Sequence, residues 1–287
     1  MPQDELAVPQ WRSMDAKERS VAYSPSSALS GPIDPFIQSY FDRSAAAYEA
    51  LDDVVTLRYG DKPSQSIDVV RPVSDEPVPT LAFVHGGYWQ ELSKRESFGP
   101  APDVVAQGVA YAAVDYTLAP NASIAQIVDE CVAALRCLKE NAGPLGLDAE
   151  RIVVAGSSAG AHLAAMTCIK LSLAERPKAA VLLSGIYDLE PLIGTYINDA
   201  VGLTTETVGR VSPISHPLEG FPQSLVAWGA QETDEFKRQS RMFANALRSA
   251  DTEALCLEID GRNHFNIIDD LASASALGRQ VIALAKN

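Results

Sequence analysis

The sequence predicts an α/β fold, a mostly parallel central sheet with helices packed on both of its faces. Two observations carry this expectation. From residue 80 onward, apolar runs of strand length alternate with amphipathic stretches of helix length, the rhythm of repeated strand–helix–strand units. The 287 residues also contain no internal repeat, low-complexity tract or linker. They therefore read as one domain, 1–287, with an N-terminal extension at 1–50 and a cap-like insertion at about 191–220.

The elements follow in order. Residues 1–50 mix helix and loop: SPSSALSGP at 24–32 is a turn-rich spacer, and FIQSYFDRSAAAYEAL at 36–51 has the spacing of a short amphipathic helix. DVVTLRYG and QSIDVVRP read as two strands joined by the polar turn GDKPS. TLAFVHGG at 80–87 is a continuous apolar strand running into glycines. A helix within 96–108 stops at Gly108, and VAYAAVDYTL at 109–118 is the next strand. The clearest helix begins at Ser123, a capping residue, and ends at Gly143-Pro144. RIVVAG is a buried strand, 158–176 a helix and KAAVLLSGIYDL a strand with its loop. Scattered Gly, Pro and Thr break the rhythm at 191–220. SLVAWG, the amphipathic helix 234–250, the strand ALCLEID, the loop GRNHFN and a terminal helix complete the chain.

A net charge of −14 argues against nucleic acid and anionic membrane surfaces as partners, because both attract basic patches. The opening MPQDELAVPQWRSMD is acidic and lacks the apolar core of a signal peptide. No apolar run is long enough to span a bilayer. Cys131, Cys137, Cys168 and Cys256 form no CxxC pair and have no ligand spacing with the histidines, so they are expected as buried free thiols, without structural zinc. A cytoplasmic protein without metal fits these features.

Gly156-Ser157-Ser158-Ala159-Gly160 matches G-x-S-x-G with Ser158 at its centre. Alone, the pattern is a common Gly/Ser turn. Here an apolar strand precedes it and a helix follows it, the context of a nucleophile elbow. Ser157 fails on spacing, since Ala155 and Ala159 flank it. A serine attacking an ester or amide needs prepositioned N–H donors for the tetrahedral oxyanion. His85-Gly86-Gly87-Tyr88-Trp89 follows a strand and is similar to an HGGG-type oxyanion loop. The expected donors are the amides of Gly86 or Gly87, and of Ala159; which loop amide donates stays open, with Tyr88 a further candidate. Tyr88 and Trp89 are expected against an aromatic part of the substrate.

The chain order nucleophile, acid, base selects among four histidines. His85 precedes the serine and reads as a loop-shaping residue. His162 shares the nucleophile's helix, and His216 lies in the insertion. His264, after the last strand, is the expected general base. The acid belongs in the loop after SLVAWG, where Glu232 stands three residues beyond Gly229 and Asp234 five. Glu232 is preferred, with Asp234 placed to complement the start of the next helix. Asp188 is a third candidate.

Assembled, these residues resemble the α/β-hydrolase superfamily over most of the chain. Within it, the chain is similar to the kynurenine formamidase (arylformamidase) family and its esterase-like relatives. HGGYW at 85–89, VDYTLAP at 114–120, GSSAGAHLA at 156–164 and NHF at 263–265 carry the resemblance, and YSPSS at 23–27 is similar to that family's N-terminal segment. It implies a cofactor-free serine hydrolase of a small acyl amide or ester, most closely an N-formylkynurenine-type arylformamide, with Ser158, His264 and the Gly86/Gly87/Ala159 amides in the roles above. Two positions depart from the pattern: the acid is usually Asp where Glu232 stands, and many relatives carry His where Ser157 stands. A short-acyl carboxylesterase is the rival activity. A hydrolase fold used purely for binding is the rival class, although such a protein need not keep all three catalytic residue types. The oligomeric state stays open, a homodimer included.

Overall fold

The computed structural model describes residues 10–287. The first nine residues, part of the acidic opening read above as unlike a signal peptide, lie outside the described residues. Eight strands form a single sheet: β1 (Val55–Arg58), β2 (Ser66–Val70), β3 (Val78–Val84), β4 (Ala110–Val114), β5 (Leu147–Ser157), β6 (Ala179–Leu183), β7 (Gln223–Gly229) and β8 (Ala254–Ile259). Their order is β1-β2-β4-β3-β5-β6-β7-β8. β1 and β2 join antiparallel, and β3 to β8 run parallel. The chain starts at one edge, moves to β3 in the middle and then winds outward through β8. Among the described residues nine α-helices accompany it: α1 (Ala16–Ala22), α2 (Asp34–Ala50), α3 (Ala101–Ala106), α4 (Ile124–Glu140), α5 (Ala159–Lys170), α6 (Asn198–Val201), α7 (Val208–Val211), α8 (Asp234–Ser249) and α9 (Ala276–Lys286).

The central strands are apolar without alternation because both faces are covered. Successive side chains then enter different cores. Ala82 and Val84 of β3 pack with Ile152 and Val154 of β5 beneath α4, α5 and α8, while Leu81 and Phe83 pack with Val153 and Ala155 beneath α2, α3 and α9. α5 is buried from Ala159 through Cys168, so its run of small residues lets a helix lie close to the sheet centre. Ser123 caps α4 in a reciprocal box with Gln126. α1, similarly boxed by Asp15 and Glu18, is a regular helix within the stretch expected to mix helix and loop. α3 is shorter than the helix expected there, because a 3-10 turn at Lys94–Ser97 occupies the approach to it. The thiols are all free, but only Cys131 and Cys168 are buried; Cys137, near the end of α4, and Cys256, on the edge strand β8, are half-buried.

A buried polar knot ties β2 to the loop after β3. Asp68 accepts from Lys94 Nζ at 2.7 Å, from Thr56 Oγ1 at 2.6 Å and from Tyr48 OH at 2.8 Å. Burial opposes ionisation of Asp68, but these donors outweigh it and hold the carboxyl below the usual range. Lys94→Met strands a buried carboxylate, and the expected loss is about 3 kcal/mol of unfolding free energy. A depressed folded value contributes stability above the unfolded value of about 4, lost as pH falls through the folded value. The difference between wild type and Lys94→Met in urea denaturation should therefore be full at pH 7 and shrink in acid below about pH 4.

Candidate active site

The elbow at the end of β5 shows why its sequence needs two glycines. Ser158 links β5 to α5 at φ 58° and ψ −122°, a left-handed conformation that costs energy for a side chain bearing a Cβ. A Cβ on Gly156 would lie 2.2 Å from the Gly160 carbonyl oxygen, and one on Gly160 would lie 2.0 Å from that of Val84. Only glycine at both positions lets the helix fold back against the sheet this tightly. The Ser158 amide donates to the Leu183 carbonyl at 2.8 Å, which fixes the turn on β6.

The loop after β3 lies directly over this elbow. A Cβ on Gly86 would approach the Ser157 carbonyl oxygen to 2.9 Å and the Ser158 Cβ to 3.3 Å. Gly87, Tyr88 and Trp89 all have positive φ, at 89°, 49° and 62°. Three such residues in succession coil the chain into a tight turn, closed by the Gln90 and Glu91 amides on the Gly87 carbonyl at 2.9 and 3.0 Å. His85 shapes this loop: its ring stacks on Tyr116 at 4.1 Å between centroids, and the Tyr116 hydroxyl donates to the His85 and Gly86 carbonyls. Ala159 is the first residue of α5, so its amide has no intrahelical acceptor.

His264 Nδ1 lies 2.9 Å from Glu232 Oε2. Glu232 Oε1 accepts from Ser184 Oγ at 2.6 Å and from the Gly229 amide at 2.6 Å. This side chain is fully buried, and both of its oxygens are engaged. An imidazole that donates from Nδ1 to a carboxylate presents a bare Nε2 as a base. The loop carrying His264 is held by reciprocal bonds between Asn263 and Asn266 and by the pairing of Arg262 with Asp270 at 2.6 and 2.9 Å. Phe236 packs on the His264 ring at 4.4 Å. Gly229 lets the loop approach, since a Cβ there would meet the Arg262 carbonyl oxygen at 2.4 Å. Ser158 and His264 line one cavity, together with Gly86, Gly87 and Tyr88.

The other candidates are placed elsewhere. Asp234 opens α8 after the cap residue Thr233, where its charge complements the helix dipole. Asp188 accepts from the Glu190 amide at 3.1 Å. His216 lies against the Arg210 carbonyl at 3.1 Å. Trp89 corrects the expectation of an aromatic pair in the pocket. Tyr88 faces the cavity, but Trp89 is fully buried and its indole donates to His162 Nδ1 at 3.1 Å. Adjacent residues in this coiled turn point in different directions, so only one reaches the cavity. His162 in turn donates from Nε2 to the Val211 carbonyl at 2.6 Å, joining the loop after β3, α5 and α7. Ser184, directly after β6 at φ 51°, joins the site without a motif of its own; its place at the end of a parallel strand is the signal the sequence carries for it. The leader and the insertion, expected to cover the pocket, both reach it. Tyr23 is buried against α8, donating to Glu235 at 2.6 Å, while Ser24 and Pro25 line the cavity beside Ile33, Ile37 and Tyr40 of the α2 region. From the insertion, Tyr196 and Ile197 line it too.

Burial pushes the His162 imidazole down to about 4. Its folded value lies below the unfolded value of about 6.5, so folding excludes a proton and stability falls as pH drops from about 6.5 toward 4. The expected cost of this residue across that window is about 3 kcal/mol. His162→Gln should flatten the slope of unfolding free energy against pH in that window, even if it lowers stability throughout; an unchanged slope would reject the assignment.

Comparison with known proteins agrees with this architecture. The BD-FAE family model matches residues 67–183. The kynurenine formamidase of Danio rerio is 31% identical, the alignment covering 93% of this chain and 95% of that protein. Esterase LipC of Mycobacterium tuberculosis is 28% identical over 74% of this chain and 59% of its own. A solved protein of Silicibacter sp. TM1040 superposes with a TM-score of 0.81 at 26% identity, covering 93% of this chain and 98% of that one. No helix among the described residues is long and apolar enough to cross a membrane. The parallel sheet, the strained serine turn between β5 and α5 and a relative matched over nearly its full length lead to one assignment: the chain is a serine hydrolase that belongs to the kynurenine formamidase family of α/β-hydrolases.

Proposed function

We propose that the protein hydrolyses an N-formylkynurenine-type arylformamide through a formyl-enzyme, with Ser158 as nucleophile, His264 as general base and Glu232 as its carboxylate partner. The observation that carries this reading is the shared cavity: Ser158 and His264 both line it, and Glu232 stands behind His264 at 2.9 Å. Ser158 Oγ attacks the formyl carbon as His264 Nε2 takes the hydroxyl proton, and the carbonyl electrons move onto oxygen. The amides of Ala159 and of Gly86 or Gly87 stabilise that oxyanion. The C–N bond then breaks, and the proton on His264 passes to the departing arylamine. A water, deprotonated by His264, attacks the formyl ester, and formate leaves as Ser158 recovers its proton. The Nδ1–Glu232 hydrogen bond fixes the tautomer that keeps Nε2 free at the outset and stabilises the imidazolium formed at each step. The kynurenine formamidase relative supports the formamide as substrate, and the leader and Tyr88 supply an aromatic-lined wall for the aryl group.

The test is a paired kinetic assay of N-formylkynurenine against a short-chain aryl ester. A much higher kcat/KM for the formamide is expected. Ester turnover with negligible formamide turnover would replace this reading with a carboxylesterase. Turnover of neither, across a wider acyl panel, would favour a hydrolase fold used for binding.

A further inference from the structure

The charge lining the cavity bears on which formamides it accepts. The acidic and basic residues that line it, His264 aside, are two glutamates, the exposed Glu91 and the half-buried Glu96; no lysine or arginine lines it among the described residues. Residues 1–9 contain no lysine or arginine either. Glu91 is fastened to the loop over the nucleophile, its amide on the Gly87 carbonyl at 3.0 Å and its Cβ 3.2 Å from where a Gly87 Cβ would lie. Glu96 accepts from Ser93 Oγ at 2.7 Å. Neither carboxylate has an ion-pair partner among the described residues.

The cations on neighbouring segments do not line the cavity. Lys94 is bonded to Asp68 at 2.7 Å and Arg43 pairs with Asp269, while Arg95 is exposed and outside the cavity lining. The remaining walls contribute the rings of Tyr40, Tyr88, Tyr196 and Phe265. Aromatic faces attract cations through their quadrupole and offer nothing to a carboxylate. The chain as a whole carries −14, which slows the approach of anions and favours cations at low ionic strength. A substrate ammonium therefore meets two unpaired carboxylates and aromatic faces, whereas a substrate carboxylate meets no fixed positive charge.

We infer that the preferred substrate of this site is an aryl formamide that carries an ammonium group and no carboxylate. The inference rests on the hydrolase reading of the same cavity and narrows its substrate. The chemistry is unchanged: water supplies the hydroxyl that leaves as formate, and the arylamine takes the proton.

The experiment compares kcat/KM for three compounds on the full chain: N-formylkynurenine, its decarboxylated analogue bearing only the amine, and formanilide, which bears neither charge. The decarboxylated analogue should exceed N-formylkynurenine by about tenfold at low salt, the size of one partly desolvated charge contact. The ratio should narrow in salt of about 0.5 M. Glu91→Gln and Glu96→Gln should each shrink the ratio, mainly through KM of the amine. A ratio of one or below with formanilide still turned over would overturn the inference and leave the formamidase reading standing. Failure to hydrolyse any of the three would remove the formamidase reading, and this inference with it.

Discussion

Ser158→Ala should abolish turnover while the protein stays folded. The expected loss in kcat is about 10⁶-fold, the scale seen when a nucleophile is removed from a serine–histidine–carboxylate unit. The folded state should survive, because the Ser158 side chain makes none of the bonds that hold the turn: its amide bonds the Leu183 carbonyl, and its carbonyl accepts from Ala161 and His162. Alanine meets the same left-handed backbone that serine already tolerates at φ 58°. Equal circular dichroism and a midpoint of denaturation within error of wild type, beside the lost activity, are the required controls. Activity within tenfold of wild type would mean that another group attacks the substrate. Ser157, which also lines the cavity, would then be the residue to replace.

Glu232→Gln should cost about 10⁴-fold in kcat, while Asp234→Asn should change it by less than about threefold. The asymmetry follows from position. Glu232 Oε2 holds His264 Nδ1, and its other oxygen is fixed by Ser184 and by the Gly229 amide. Glutamine can place an amide N–H against Nδ1 and so stabilise the wrong tautomer, with the proton on Nε2. It also leaves the imidazolium without its counter-charge. Asp234 meets only the first turn of α8, where removing one charge weakens a dipole interaction worth less than about 1 kcal/mol. The pair of variants is decided by steady-state kinetics on one substrate. A large loss in Asp234→Asn with a small one in Glu232→Gln would reassign the carboxylate partner.

Much of this was legible from the sequence because it is local. The elbow depends on glycines two residues either side of Ser158, and the reason is a contact of 2.2 Å or less on each side. The helix of α4 is written in a capping pair three residues apart. The parallel sheet announces itself as apolar runs, since strands covered on both faces cannot alternate. The chain order Ser158, Glu232, His264 also survives translation into space, because the three follow the ends of β5, β7 and β8 of the same sheet.

What the sequence by itself determined was therefore the α/β-hydrolase class, the turn that presents Ser158 and the loops in which Glu232 and His264 stand. Only the tertiary structure decided what lies between distant segments. Glu232 and His264 are 32 residues apart, and they meet because Gly229 lets the loop of His264 lie against the end of β7. Ser184 joins Glu232 across 48 residues, and Tyr23 reaches Glu235 across 212. No local pattern encodes such pairings, since each depends on strand register and on loops closing over the sheet. The same physics sorted Tyr88 from Trp89: neighbours in sequence, one borders the cavity and the other is buried against His162, because the turn that carries them is coiled by the packing of the loop over α5.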